Sequence, residues 1–255
     1  MPTFRRRIAN VLERLSGNII VPRYEVHLAP ERVHLRRFFD YFEIDCIFDV
    51  GANRGQYARM LRDGVGFTGD IVSFEPIPEL ADTLRGLAAK DRRWHVEQLA
   101  LDREAGPATF HIMRESELSS LRRPSPDQPA IFRHDNSIAR SVTVPRSTIA
   151  VELPRYQAQL GFRRPYLKLD TQGNDLAVVE GAGAAIAGFV GLQTELSIKA
   201  LYEGSAGLGE TLSALQGLGF EPSAFVPNNA GRFPWLIEMD CILFRRDALP
   251  ADAAA

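Results

Sequence analysis

Carboxylates stand at four places where an apolar run ends, and each place could hold a small polar molecule. The first is Asp49 with Gly51, Asn53 and Gly55, and the second is Glu75 followed by Pro76. The third is Asp170 with Gln172, Gly173, Asn174 and Asp175, and the fourth is Glu195 with Ser197. In an open α/β sheet, ligands bind beyond the carboxyl ends of the strands, where the strand order reverses. A glycine turn from strand to helix points backbone N–H groups and the positive end of a helix into that crevice. Asp49 narrows the choice of ligand, because an acid at the turn repels a pyrophosphate and attracts an ammonium or sulfonium group. Glu75 lies twenty residues past Gly55, and a carboxylate there can accept both hydroxyls of an adenosine ribose. A nicotinamide dinucleotide would want three glycines spaced G-x-G-x-x-G, and "DVGANRG" lacks that spacing. The expected ligand is an adenosine without phosphates. S-adenosylmethionine meets that description, with an amino group and a positive sulfur for the acids and a carboxylate for the helix N-terminus.

Holding those four strand ends side by side requires alternating strands and helices from Ile47 onward. The apolar runs predict strands at 47–50, 71–74, 95–101, 166–170, 191–196, 220–225 and 240–244, several of them apolar on both sides as in a parallel sheet covered on both faces. Helical spacing fits at 56–62, 79–89, 153–160, 176–185 and 209–218. The late stretch from Pro222 to Arg246 has no room for a helix and reads as a hairpin closing the sheet. Between Gly106 and Pro145 the pattern weakens. "PATFHIM" and "RSVTVP" read as short strands, and the Ser- and Pro-rich segment between them is expected to cover the substrate or cofactor. The expected divisions are a helical extension over 1–45, the main domain over 46–247 and a frayed tail over 248–255.

Within the extension, Phe4, Ile8, Val11, Leu12 and Leu15 fall on one helical face with Arg5, Arg6, Arg7 and Arg14 largely opposite. Docking on the fold or in a homodimer is the expected role, with a membrane surface or an acidic substrate as the other readings. A second helical pattern starts at Pro30. The 255 residues carry a formal charge of −2 and are 45% hydrophobic, enough for one large α/β domain and without a basic field to gather nucleic acid. No apolar run reaches the roughly 18 to 20 residues of a membrane span, and Cys46 and Cys241, far apart in apolar runs, are expected to be reduced and buried in a cytoplasmic protein.

In order, the segments "FDVGANRGQYA", "SFEPIPE", "ALDREAG", "SSL", "LKLDTQGND" and "QTELS" resemble those of FkbM-type methyltransferases, over about Leu35 to Arg246. The resemblance implies a seven-stranded Rossmann-like class I methyltransferase fold with helices on both faces. It further implies methylation, from S-adenosylmethionine, of a hydroxyl on a sugar, glycan or other small metabolite. Carried over by position, Asp49, Gly51, Asn53 and Gly55 match the first cofactor loop, and Glu75 with Pro76 matches the ribose segment. Ala100 and Leu101 match the adenine flank, Ser119 and Ser120 the serine-leucine element, and Asp170 the acid beside the methionine part. Glu-Gly often follows that acid in the family, whereas this chain reads Gln172-Gly173, so Asp175 is the acid that could stand in.

Strand alternation puts Lys168 and Asp170 on one face, and Gln193, Glu195 and Ser197 on one face of the next strand. A lysine inside a central strand must be paired, here with Glu195 or Asp170. Methyl transfer needs alignment and a base for the leaving proton, and Asp170, Glu195 or His134 could serve as base beside Lys168. Asp170, Asp175 and Glu195 could also ligate Mg²⁺, but the histidines show no ligand spacing and no metal is expected. Tyr202 or Trp235 could wall an acceptor pocket. A dinucleotide-dependent enzyme and a non-catalytic binding scaffold are the competing readings.

Overall fold

A computed structural model of the chain describes residues 29–227 and 234–249. The Arg-rich helical pattern over 4–15, the aromatic Phe233 and the tail from 250 lie outside the described residues. Helix α1 (Ala29–Tyr41) carries Pro30 in its first turn, where no backbone donor is lost. Its residues Leu35, Phe38 and Phe39 are buried, and Phe38 and Phe39 meet the Tyr166 ring at 5.4 and 5.1 Å. Strand β1 (Cys46–Val50) then leads through a tight turn into α2 (Gln56–Met60), which continues as a wider turn over Leu61–Val65. Next come β2 (Asp70–Phe74), α3 (Pro78–Ala88), β3 (Trp94–Glu97) and β4 (Ala100–Leu101). A long pair, β5 (Gly106–Met113) and β6 (Ile138–Ser147), precedes α4 (Ile149–Leu160) and β7 (Pro165–Leu169). The remainder is α5 (Asp175–Ala182), β8 (Gly191–Ser197), α6 (Leu208–Gly217), β9 (Phe220–Pro227) and β10 (Glu238–Arg245).

Seven strands form one sheet in the order β3-β2-β1-β7-β8-β10-β9. All neighbours are parallel up to β8, and β10 enters antiparallel between β8 and β9. This is the class I methyltransferase arrangement that the sequence resemblance implies. Every residue of β1 and β7 is buried, as expected for central strands covered on both faces. On one face Phe48 packs edge-on to the rings of Tyr156, Phe162 and Phe189, with centroids 5.6 to 5.9 Å away. Strand order reverses between β1 and β7, because β2 and β3 build outward on one side and β8 on the other. The crevice of such a sheet opens at that reversal, above Val50 and Leu169.

Two expectations need correction. The run read as one strand over 95–101 is two strands in different sheets: β3 ends at Glu97, and Ala100–Leu101 pairs with β6 instead. The two short strands read within 106–145 are present and somewhat longer, as an antiparallel pair, β5 with β6, whose register runs from Gly106 opposite Arg146 to Met113 opposite Ile138. Only residues 114–137 connect them, closed by backbone bonds such as Arg114 N to Ser137 O at 3.0 Å. Finally, α4 begins at Ile149 and holds Pro154 inside it, whereas the proline suggested a later start. Both cysteines are free and buried, and burial raises both thiols, that of Cys241 to about 12.

Candidate active site

Above the β1–β7 reversal lies a cavity of about 840 Å³, reached by all four strand ends singled out in the sequence. At one end the turn after β1 supplies Gly51, Ala52 and Asn53 to its wall. Gly51 has φ +82°, and a side chain there would put its first carbon 1.9 Å from the carbonyl oxygen of Asp170. Only glycine therefore lets the β1 turn close against the end of β7. Asn53 also takes a left-handed conformation, φ 45°, which asparagine tolerates. Its amide N donates to Glu75 Oε2 at 2.7 Å, while its side-chain oxygen is buried without a partner. Glu75 Oε1 accepts from Ile77 N at 2.8 Å. Each carboxylate oxygen thus keeps a lone pair free toward the cavity that Glu75 lines. Burial pushes this carboxyl up to about 7, against the lowering effect of its two backbone donors. Pro76, Ala100, Leu101 and Ser119 line the same end, as their sequence positions implied.

Three sequence candidates stand elsewhere. Asp49 lies beneath the floor, fully buried, accepting from Ser73 Oγ at 3.0 Å and facing Lys168 Nζ at 4.0 Å. The register explains this position, since Ser73, Asp49, Lys168 and Gln193 form one polar row across β2, β1, β7 and β8. Gly55 faces away, and a side chain there would meet Leu84 and Trp94. Ser120 is also turned from the cavity, donating to the Gln172 carbonyl at 2.8 Å and so tying the β5–β6 connection to the turn after β7. Short-range spacing assigns such residues to a turn without saying which of its sides meets the ligand.

The other end of the cavity is acidic. Lys168, only 5% exposed, donates to Asp170 Oδ2 at 2.9 Å, which selects Asp170 between its two expected partners. Burial works against the lysine's charge, but Asp170 and Asp49 outweigh it and raise its pKa. Asp170 Oδ1 accepts from Gln172 Nε2 at 2.8 Å, and the same amide nitrogen lies 3.3 Å from Glu195 Oε2. Tyr202 is buried beneath this amide, its hydroxyl 2.7 Å from Gln172 Oε1 and 2.8 Å from the Leu118 carbonyl. It supports the acids from behind. The amide of Gln172 therefore does what a carboxylate could not, bridging two acids through its N–H groups.

Asp175 does not stand in for an acid at position 172. It is buried and accepts from Thr171 N at 2.9 Å, Thr171 Oγ1 at 2.5 Å, Thr194 Oγ1 at 2.7 Å and Glu195 N at 3.2 Å, so it pins β7 to β8. His134 and Trp235 are exposed and do not line the cavity. Sequence reasoning missed Glu31, Glu238 and Asp240, all on the cavity wall. Glu31 accepts from Gln193 Nε2 at 2.8 Å, and Gln193 in turn accepts from Tyr57 OH at 3.0 Å. Burial, reinforced by Asp170 and Asp175, pushes Glu238 up to about 8, and the Glu238 side chain hydrogen-bonds that of Glu195. Glu195 is raised by burial and by Glu238. A two-residue alternation in "IEMD" was the available signal, because β10 runs antiparallel and so begins where β8 ends. Among the described residues, no group of three or more His, Cys, Asp or Glu side chains is arranged to hold a metal ion.

With this geometry in place, the sequence was compared with known proteins. The profile of the Methyltransferase FkbM domain matches residues 49–222, more than half of the chain. The chain belongs to the FkbM methyltransferase family. The matched span begins at Asp49 and contains the whole turn after β1, Glu75, Asp170 and Glu195, but stops short of β10. No protein of curated function matches the sequence. Among solved structures, an FkbM methyltransferase from Methylobacillus flagellatus KT superposes with a TM-score of 0.48 at 14% identity, covering 79% of this chain and 43% of that one. This family member therefore spans less than half the length of that relative. Fibrillarin of Aeropyrum pernix, solved with natively bound S-adenosyl-L-methionine, gives 0.42 at 13% identity, covering 78% of this chain and 66% of that one. A human methyltransferase 10 domain containing protein gives 0.45 at 9% identity and covers 94% of both chains. Family membership rests on the sequence profile.

Proposed function

We propose that this FkbM-family chain transfers a methyl group from S-adenosylmethionine to a hydroxyl of a sugar, glycan or other small metabolite. The observation that carries the reading is Glu75: it is buried at the end of β2, fixed by two backbone donors and open to the cavity through its remaining lone pairs. Such a group suits a ribose diol. The cavity residues fit the rest of the cofactor, with Pro76, Ala100 and Leu101 as an apolar slot for adenine. The Gly51–Asn53 turn and Asp170 would take the methionine part, and the unpartnered Asn53 side-chain oxygen gives a waiting acceptor. When bound, the cofactor supplies a methyl group already activated by its sulfonium.

The chain's own task is alignment and proton removal. Lys168 and Gln172 hold both Asp170 oxygens, which keeps that carboxylate oriented at the junction of the cavity's two ends. Glu195 is the base. One proton shared with Glu238 leaves the pair one carboxylate to receive the acceptor's proton. The test is isothermal titration with S-adenosylhomocysteine against NAD, followed by labelled methyl transfer into extracted glycans and metabolites. Saturable binding of the former alone, with label in a small acceptor, is expected; preference for NAD or absence of binding would refute the reading. No helix among the described residues is long and apolar enough to cross a membrane.

A further inference from the structure

The acceptor end of the cavity is walled by Glu31, Asp170, Glu195, Glu238 and Asp240, brought together from α1, β7, β8 and β10. These acids outnumber the basic side chains on the whole cavity wall, Arg32, Arg59 and Lys168. Lys168 is already committed to Asp170, and Arg59 is exposed. Two further observations point to a missing cation. Asp240 has no hydrogen-bond or ion-pair partner among the described residues, although it faces Glu195 across the β8–β10 register. Glu238, 8% exposed, hydrogen-bonds the Glu195 side chain through their shared proton, so that pair carries a single negative charge, and Glu195 stands opposite Asp240 in the register. A neutral hydroxyl would leave the repulsion between that charge and Asp240 standing, whereas an ammonium group would convert it to attraction. Tyr57 adds a surface suited to the same charge, since its ring lies on the cavity wall and already has Lys168 Nζ 5.1 Å from its centroid.

Glu31, Glu238 and Asp240 lie outside the family-matched span of 49–222, which holds the residues assigned to the cofactor. Three of the five acids in this wall thus come from outside the matched span, and Asp170 and Glu195 come from within it. We infer that the acceptor bears a protonated amine beside the hydroxyl to be methylated, as in an amino sugar or aminated polyol, held by Glu238 and Asp240 against Tyr57. This rests on the methyltransferase reading above, since it assigns the opposite end of the cavity to the cofactor.

The test uses the full chain loaded with S-adenosylhomocysteine and titrated at neutral pH with glucosamine, N-acetylglucosamine and glucose. The three share a ring and differ in whether they carry a charged nitrogen. Glucosamine is expected to bind about tenfold or more tightly than the other two, the worth of one charge-assisted contact. Asp240→Asn and Glu238→Gln are each expected to erase that preference while S-adenosylhomocysteine affinity stays within about twofold. Both substitutions keep side-chain shape and remove repulsion, and a cooperative melt confirms that each variant is folded. Equal affinity for the three sugars, failure of glucosamine to bind, or a preference unchanged in both variants would overturn the inference while leaving the cofactor assignment standing. Failure of S-adenosylhomocysteine itself to bind would instead overturn the methyltransferase reading, and this inference with it.

Discussion

Glu75 is held at both oxygens by backbone N–H groups from two different turns, so its position is set before any ligand arrives. Preorganisation of this kind means that a ribose would meet a fixed acceptor pair rather than have to order one. Replacing Glu75 by alanine should weaken S-adenosylhomocysteine binding by about 1–3 kcal/mol through lost charged hydrogen bonds. Glutamine, which keeps one acceptor oxygen, should lose less. Calorimetric titration of both variants measures the difference, and an unchanged affinity for the alanine variant would contradict the ribose assignment. Asp49 shows the opposite case. Its motif position promised contact with a ligand, yet its side chain is sealed under the floor, where it serves Lys168 and Ser73. Asp49 can still matter to the cofactor, through the charge balance that keeps Lys168 buried and Asp170 in place.

The turn after β1 is the element on which the site depends most closely. Gly51 brings it within 1.9 Å, measured from a notional side-chain carbon, of the Asp170 carbonyl, and the N–H groups of Gly51 and Ala52 both point to Phe74 O at 3.0 and 3.1 Å. One residue thereby locks the ends of β1, β2 and β7 together. Gly51→Ala should cost about 2–5 kcal/mol, combining the penalty of a left-handed φ with overpacking against backbone that cannot retreat. Denaturant unfolding is the measurement, and a loss below about 0.5 kcal/mol would show that the turn can relax. Strand β10 matters at the same scale. Being antiparallel, it delivers its first residues to the end of the sheet where its parallel neighbours deliver their last ones. Glu238 and Asp240 reach the cavity by that reversal alone.

Across the whole molecule, the concentration of buried acids sets how stability depends on pH. The ordinary value of a glutamate is 4.5, and in the fold burial raises Glu75 to about 7 and Glu238 to about 8. A carboxyl raised by folding binds its proton more tightly in the native state. Its contribution to stability is therefore complete below about 4.5 and is lost as pH rises through about 7 to 8. The ligand-free protein should melt at progressively lower temperature across that window. Glu238→Gln, which cannot ionise, should flatten the decline and exceed the parent's stability at about pH 9. Thermal unfolding of both proteins between about pH 5 and pH 9 reads this directly, and parallel profiles would remove the buried-acid explanation. The apolar halves of the structure are pH-independent by comparison, since clusters such as Phe48 with Tyr156, Phe162 and Phe189 titrate nothing in that range.

Much of this was legible without coordinates. Runs apolar on both faces marked β1 and β7, helical spacing marked the covering helices, and carboxylates at the ends of those runs marked the crevice. These signals are local, because backbone periodicity decides which face a residue takes within its own strand or helix. What only the tertiary structure decided is which faces and ends meet. Residues 95–101 look like one strand, but the chain leaves the main sheet after Glu97 because Ala100–Leu101 finds its partner in β6, more than forty residues away. Asp49, Gly55 and Ser120 belong to the right turns and point elsewhere, whereas Glu31, Glu238 and Asp240 come from segments outside the motifs and line the cavity. The physical reason is common to all of them: sequence pattern expresses contacts between near neighbours, and an active-site wall is made by strand order and direction, which follow from packing the entire chain around one core.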